Sequence, residues 1–242
     1  MKKILLPIAL LLLMASCHRT KSNSNEVKTE SYVVSDSVYL ENDYEDGYSR
    51  YTVNIDLPVT DNDTLRKNIM YWMLDDWTED YQSYFETSKT RFFEEEGSEP
   101  NAEFEGNYTL ANQTDYYVTY ISEGYIYAGG AHSLPWYYGT TFSKQDGSVM
   151  GYDLFEDPEQ LIDLVTENLN LEWLDNNEDY LGFGGTFGLP TNQPWIETDS
   201  VVFCYGPYEI APYSEGMPLC KIAIDDLKPY LSERGKELLN IK

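Results

Sequence analysis

Between Asn107 and Phe155 the chain repeats one pattern: a short run of alternating polar and aromatic or β-branched residues, then glycine, then another such run. The runs are NYTLANQ, DYYVTYISEGYIY and WYYGTTFS. Glu123-Gly124, GGAHSLP (129–135) and QDGS (145–148) punctuate them. Period-two alternation in Tyr, Val and Thr puts successive side chains on opposite faces, which is the signature of a strand. Connections this short join neighbouring strands antiparallel. The segment is thereby expected to be a β-meander turning at Glu-Gly, GGAHSLP and QDGS, the last a strong hairpin signal.

The flanks add strands and helices. SYVVSDSVYL (31–40) and YSRYTVNIDLP (48–58) alternate in the same way and are joined through ENDYEDG. The period then changes. Leu65, Ile69, Trp72, Met73, Trp77, Tyr81, Tyr84 and Phe85 recur at steps of three and four, which predicts one long amphipathic helix over 61–86 with Asp61 or Asp63 as its cap. TRFFEEEGSEPNAEFEG reads as a helix end and an acidic loop. EDPEQLIDLVTENLNLEWL (156–174) is a second helix, with Asp157 capping, Pro158 at the first position and Gln160 completing a capping box. A loop rich in Gly and Pro follows, then two strands within SVVFCYGPYEIAPYSEGMPLCKIAI and short helical turns in DDLKPYLSERGKELL. The expected fold is α+β: a mostly antiparallel sheet with a long amphipathic helix packed on it.

The first seventeen residues, MKKILLPIALLLLMASC, combine two lysines, an apolar run of about a dozen residues and small residues before Cys17. Such a run is shorter than the ~20 residues a spanning helix needs and has the layout of a secretory signal. Ala15-Ser16-Cys17 resembles a bacterial lipobox, which implies a lipid on Cys17 and attachment to the membrane through that lipid only. HRTKSNSNEVKTE (18–30) is polar and aperiodic and reads as a flexible tether.

Formal net charge is -26, and removal of a signal carrying Lys2 and Lys3 makes the remainder more acidic still. Twenty-two tyrosines argue for a folded chain with an acidic surface rather than a disordered one. Such a field repels nucleic acid and attracts cationic partners. The only cysteines beyond Cys17 are Cys204 and Cys220, which flank a turn-rich loop. They read either as a disulfide, permitted in an oxidising compartment, or as two buried thiols.

Chemistry has little to build on. His132 is the only histidine outside the N-terminal segment, so the usual zinc ligand sets are not available. No G-x-S-x-G elbow supports a serine triad, and no glycine-rich phosphate loop occurs. No cofactor and no catalytic residue is assigned. Acidic pairs that could serve glycoside hydrolysis are numerous but uninformative among 42 Asp and Glu. Asp175, Glu178 and Asp179 read as a solvated face or a calcium site. Asp36-Ser37-Val38, Asp63-Thr64-Leu65 and Asp199-Ser200-Val201 each resemble an O-glycan acceptor tripeptide used by some Gram-negative bacteria.

AGGAHSLPWYYGTTFSKQDGSVMGYDLF resembles the G-G-A-H, T-x-x-F-x-x-x-(D/N)-G and D-L-F run of the DUF3298 domain. VVFCYGPYEIAPYSEGMP with IAIDDLKPYL resembles its closing motif. The N-terminal strands and helix are similar to the DUF4163 module. The resemblance implies an RsiV/PdaC-like extracellular module, with residues 31–115 as the DUF4163-like part and 116–242 as the DUF3298-like part. It also implies a non-catalytic binding module of the cell envelope, facing the periplasm or the cell surface, since RsiV-type proteins bind lysozyme, a cationic protein. A cell-wall component is the other expected partner. An envelope glycan hydrolase and a structural or assembly lipoprotein are the alternatives. By the same analogy, Gly129, Gly130 and His132 of one loop and Tyr208, Pro212 and Tyr213 of the other form the candidate binding edge.

Overall fold

The computed structural model describes residues 26–41, 45–75, 80–169 and 188–241. Cys17, residues 42–44, Trp77 and the Asp175–Asp179 run lie outside the described residues.

Strands β1 (Lys28–Glu41) and β2 (Asp46–Val59) pair antiparallel along their whole length. β1 starts before the expected end of the tether at residue 30. Val27 is already buried, and its backbone N–H and C=O both bond the Gln113 side-chain amide, at 3.0 and 2.9 Å.

The 61–86 segment is not one long helix. It forms α1 (Asp63–Leu74), after which Asp75 takes a left-handed conformation, and α2 (Tyr81–Glu94). The apolar stripe survives the break: Leu65, Ile69, Met73 and Phe85 are all buried. A three-to-four periodicity records which face is buried, and two helices on the same sheet face preserve it as well as one. The cap of α1 is neither Asp61 nor Asp63 but Asn62, whose side chain accepts the Leu65 N–H at 3.1 Å.

The helix pair explains the one parallel pairing in the sheet. β3 (Glu103–Gln113) runs parallel to β2, and such a pair needs a long crossover. β4 (Tyr117–Tyr127), β5 (Leu134–Ser143) and the short β6 (Val149–Met150) then follow antiparallel, so the six strands lie in sequence order. The meander turns at GGAHSLP and at QDGS, where Gly147 has φ 73°. Glu123-Gly124 is not a turn. It sits inside β4, where Gly124 pairs with Gly106 and Trp136. A Cβ on Gly124 would come 2.0 Å from the Glu105 carbonyl oxygen and 2.4 Å from the Trp136 ring. Lack of a side chain, not a bend, is what this glycine contributes.

One face of the sheet meets the helices. Tyr51, Val53 and Ile55 of β2, Val118 and Tyr120 of β4 and Phe142 of β5 close over the α1–α2 stripe. The opposite face carries a second sheet across β4 and β5, made of β7 (Trp195–Glu197), β8 (Ser200–Cys204) and β9 (Leu219–Ala223). Trp195 lies on Gly139 of β5, where a Cβ would meet its ring at 2.5 Å. Beside it the Thr119 and Thr141 hydroxyls bond at 2.9 Å, and the Ile196 N–H donates to Thr141 Oγ1 at 2.9 Å.

The outer face of the second sheet builds a separate core with α3 (Ile162–Asn168), α4 (Ile224–Leu227) and α5 (Glu233–Leu238). Pro158–Leu161 is a 3₁₀ turn leading into α3. The expected capping box is not made there: Asp157 accepts the Gln160 side-chain amide at 2.9 Å and makes no side-chain cap. Leu161, Val165 and Leu169 are buried as their spacing requires.

Cys204 and Cys220 do not form a disulfide; both are buried free thiols. The register explains why. Phe203 pairs with Cys220, and Cys204 with Leu219. The two sulfurs therefore point to opposite faces of the sheet, Cys204 towards Trp195 and Cys220 into the outer core. No rotamer change bridges them.

Candidate binding site

The structure brings the two loops of the candidate edge together. The turn after β4 is opened by Gly129 and Gly130, with φ 92° and 97°, a region that favours glycine. The Tyr127 hydroxyl donates to the Gly130 carbonyl at 3.1 Å. The turn presents His132, whose ring stacks on Tyr213 at 3.7 Å between centroids and 17° between planes. His132 Nδ1 lies 3.0 Å from the Ser133 carbonyl, and the Tyr213 hydroxyl donates to the same oxygen at 2.5 Å. A carbonyl oxygen cannot donate, so Nδ1 carries the proton. In the neutral ring Nε2 then accepts from the Tyr208 hydroxyl at 3.3 Å. His132 thus clasps one loop to the other, with both ring nitrogens engaged.

The partner loop is anchored from behind. Ile210 and Ala211 are buried in the outer core. Glu209 accepts three hydrogen bonds, from the Gly206 and Thr191 N–H groups at 2.7 Å and from the Thr191 hydroxyl at 2.8 Å. Tyr208, held between these anchors, has φ 65° and an exposed ring. Pro212 introduces the 3₁₀ turn that carries Tyr213. Tyr208, His132, Gly129 and Gly130 are exposed, whereas Tyr213 and Pro212 are half-buried.

Below the clasp lies a groove of about 490 Å³ between the open face of the large sheet and the edge of the small one. Its floor follows from the strand register. One row runs Val33, Asn54, Asn107, Glu123, Tyr137 across five strands, and the next runs Ser35, Thr52, Glu105, Tyr125, Pro135. Met217 and Leu219, at the end of the clasped loop, supply the apolar wall. Asn54 donates to Asn107 at 2.8 Å. Glu105 and Glu123 are diagonal neighbours on adjacent strands, and none of the ion pairs among the described residues takes up either one. Their field is felt by the tyrosines. Burial first, then the hydrogen bonding and charge of Glu103 and Glu105, pushes Tyr125 up to about 12. Burial, then Glu197 and Glu123, raises Tyr137. Both phenols stay protonated donors beside carboxylates.

Sequence reasoning missed this groove. EFEGN and EGYIY place Glu105, Asn107, Glu123 and Tyr125 at alternate positions, which signals one shared face. Which face remains open, however, depends on where the second sheet lands.

Residues 153–225 match the family model described as "Protein of unknown function (DUF3298)". Two solved structures share the fold. A DUF3298 family member of Bacteroides fragilis superposes with a TM-score of 0.71 at 18% identity, covering 91% of this chain and 99% of that one. A DUF3298 family protein of Pseudomonas aeruginosa superposes with a TM-score of 0.61 at 19% identity, covering 87% and 97%. No curated protein matches the chain.

Proposed function

We propose that this chain is a non-catalytic binding module of the bacterial cell envelope, held by lipid on Cys17, whose groove receives basic side chains of a cationic, lysozyme-like protein. The observation that supports it is the pair of carboxylates, Glu105 and Glu123, that have no ion-pair partner among the described residues and lie beside Tyr125 and Tyr137 in a groove of a strongly acidic chain. Arginine or lysine entering there gains charge-assisted bonds and ring contacts together. The lipobox, the resemblance to RsiV-type modules and the net charge of -26 support the location and the partner class.

The test is capture of lysozyme by the purified chain at low and moderate salt. Binding that weakens when Glu105 and Glu123 both become Gln, but not when the distant Glu233 does, supports the reading. Absence of binding at low salt sinks it.

One observation favours a hydrolase instead: two carboxylates face one groove from neighbouring strands. Turnover of muropeptides, abolished by Glu105→Gln or Glu123→Gln, would replace the binding reading.

A further inference from the structure

We propose that Ser37 is an O-glycan acceptor, presented to a glycosyltransferase on the free edge of β1. The inference goes beyond ligand binding but rests on export of the chain, as the first seventeen residues imply. Three tripeptides share the acid–hydroxyl–aliphatic pattern, and the fold treats them differently. Asp63-Thr64-Leu65 is wound into the first turn of α1, with Leu65 buried and its N–H held by Asn62. Asp199-Ser200-Val201 forms a hairpin corner, where the Ser200 hydroxyl donates to Asp199 at 3.0 Å and Val201 lies in the outer core.

Asp36-Ser37-Val38 alone is both extended and accessible. Every residue from Ser35 to Tyr39 is exposed. Among the described residues β1 hydrogen-bonds to β2 only and is the edge of the six-stranded sheet. An enzyme that binds an extended acceptor by adding a strand finds the backbone of 36–38 already in that conformation. Asp36 is held in place by the Ser37 N–H at 2.8 Å and by Lys89 at 3.6 Å, so its carboxylate sits fixed beside the acceptor.

The transfer requires a sugar activated as a phosphate ester of a lipid carrier. The Ser37 hydroxyl oxygen attacks the anomeric carbon, and the C–O bond to phosphate breaks. The phosphate leaves with the electron pair, and the hydroxyl proton passes to a base of the transferase. Nothing is oxidised or reduced. The product places a hydrophilic chain on the one long open edge among the described strands, where Val33, Val38 and Tyr39 are exposed, and so blocks edge-to-edge pairing.

The test is mass mapping of the full chain purified from the envelope fraction of the cells that make it. The expected result is a saccharide increment on the peptide containing Ser37. Ser37→Ala and Asp36→Ala should remove it, and Thr64→Ala and Ser200→Ala should keep it. Envelope-located protein with an unmodified Ser37 peptide, or with the increment only at Thr64 or Ser200, overturns the proposal. Unmodified protein confined to the cytoplasmic fraction overturns it too, and in that case the export reading fails with it.

Discussion

Gly139 is the point on which the two sheets rest. Trp195 occupies the space its side chain would take, with ring atoms at 2.5–2.7 Å from an added Cβ. Gly139→Ala is therefore expected to lower stability by about 1–3 kcal/mol through overpacking, read by thermal or denaturant unfolding. In the sequence this glycine is one residue in a strand run, with nothing to separate it from a bulge. The cysteines were open to two readings for a similar reason. Their spacing allows a bridge, while their opposite faces follow only from the β8–β9 register. Burial pushes both thiols up to about 12. They should resist alkylation in the folded chain at pH 8 and react fully in denaturant without reductant, which intact mass resolves. Reaction only after reduction would show a bridge.

At the scale of elements, the apolar stripe of 61–86 was legible and the break inside it was not. Helical periodicity reports burial, whereas the end of α1 depends on Asp75 adopting φ 50°. The cap is a local feature with a tertiary extension, because Asn62 also donates to the Lys144 carbonyl at 3.1 Å. Asn62→Ala should cost about 1 kcal/mol or somewhat more, measured as a shift in denaturation midpoint.

The QDGS hairpin carries a second prediction. Asp146 accepts the Ser148 hydroxyl at 2.7 Å and its N–H at 3.1 Å. Led by these bonds, and helped by Arg234 from α5, its carboxyl is lowered to about 2. The folded value is depressed, so the stabilisation is complete above the ordinary carboxylate range, about pH 4, and is lost as pH falls towards 2. Asp146→Asn should flatten the acid limb of the stability profile in that window. An unchanged limb would mean that other carboxylates govern it.

For the whole molecule, the relevant prediction concerns salt. If the groove takes basic side chains, affinity for lysozyme should fall as ionic strength rises, and the Glu105→Gln, Glu123→Gln double variant should show a shallower fall. A titration at several salt concentrations reads both. Equal salt slopes would assign the attraction to the net charge of the chain rather than to the groove.

The α+β class, the positions of the GGAHSLP and QDGS turns, the buried stripe of 61–86 and the acidic character were determined by the sequence itself. All of these are set by local periodicity, turn chemistry and composition. The tertiary structure alone decided that the strands divide into two sheets, that β2 and β3 run parallel, and that Cys204 and Cys220 face apart. It also decided that His132 clasps the Tyr208–Tyr213 loop above a groove. Each of these depends on contacts between residues far apart in the chain, such as Trp195 on Gly139 and Tyr213 on His132. Alternation assigns a side chain to one of two faces, but it does not say what that face will meet.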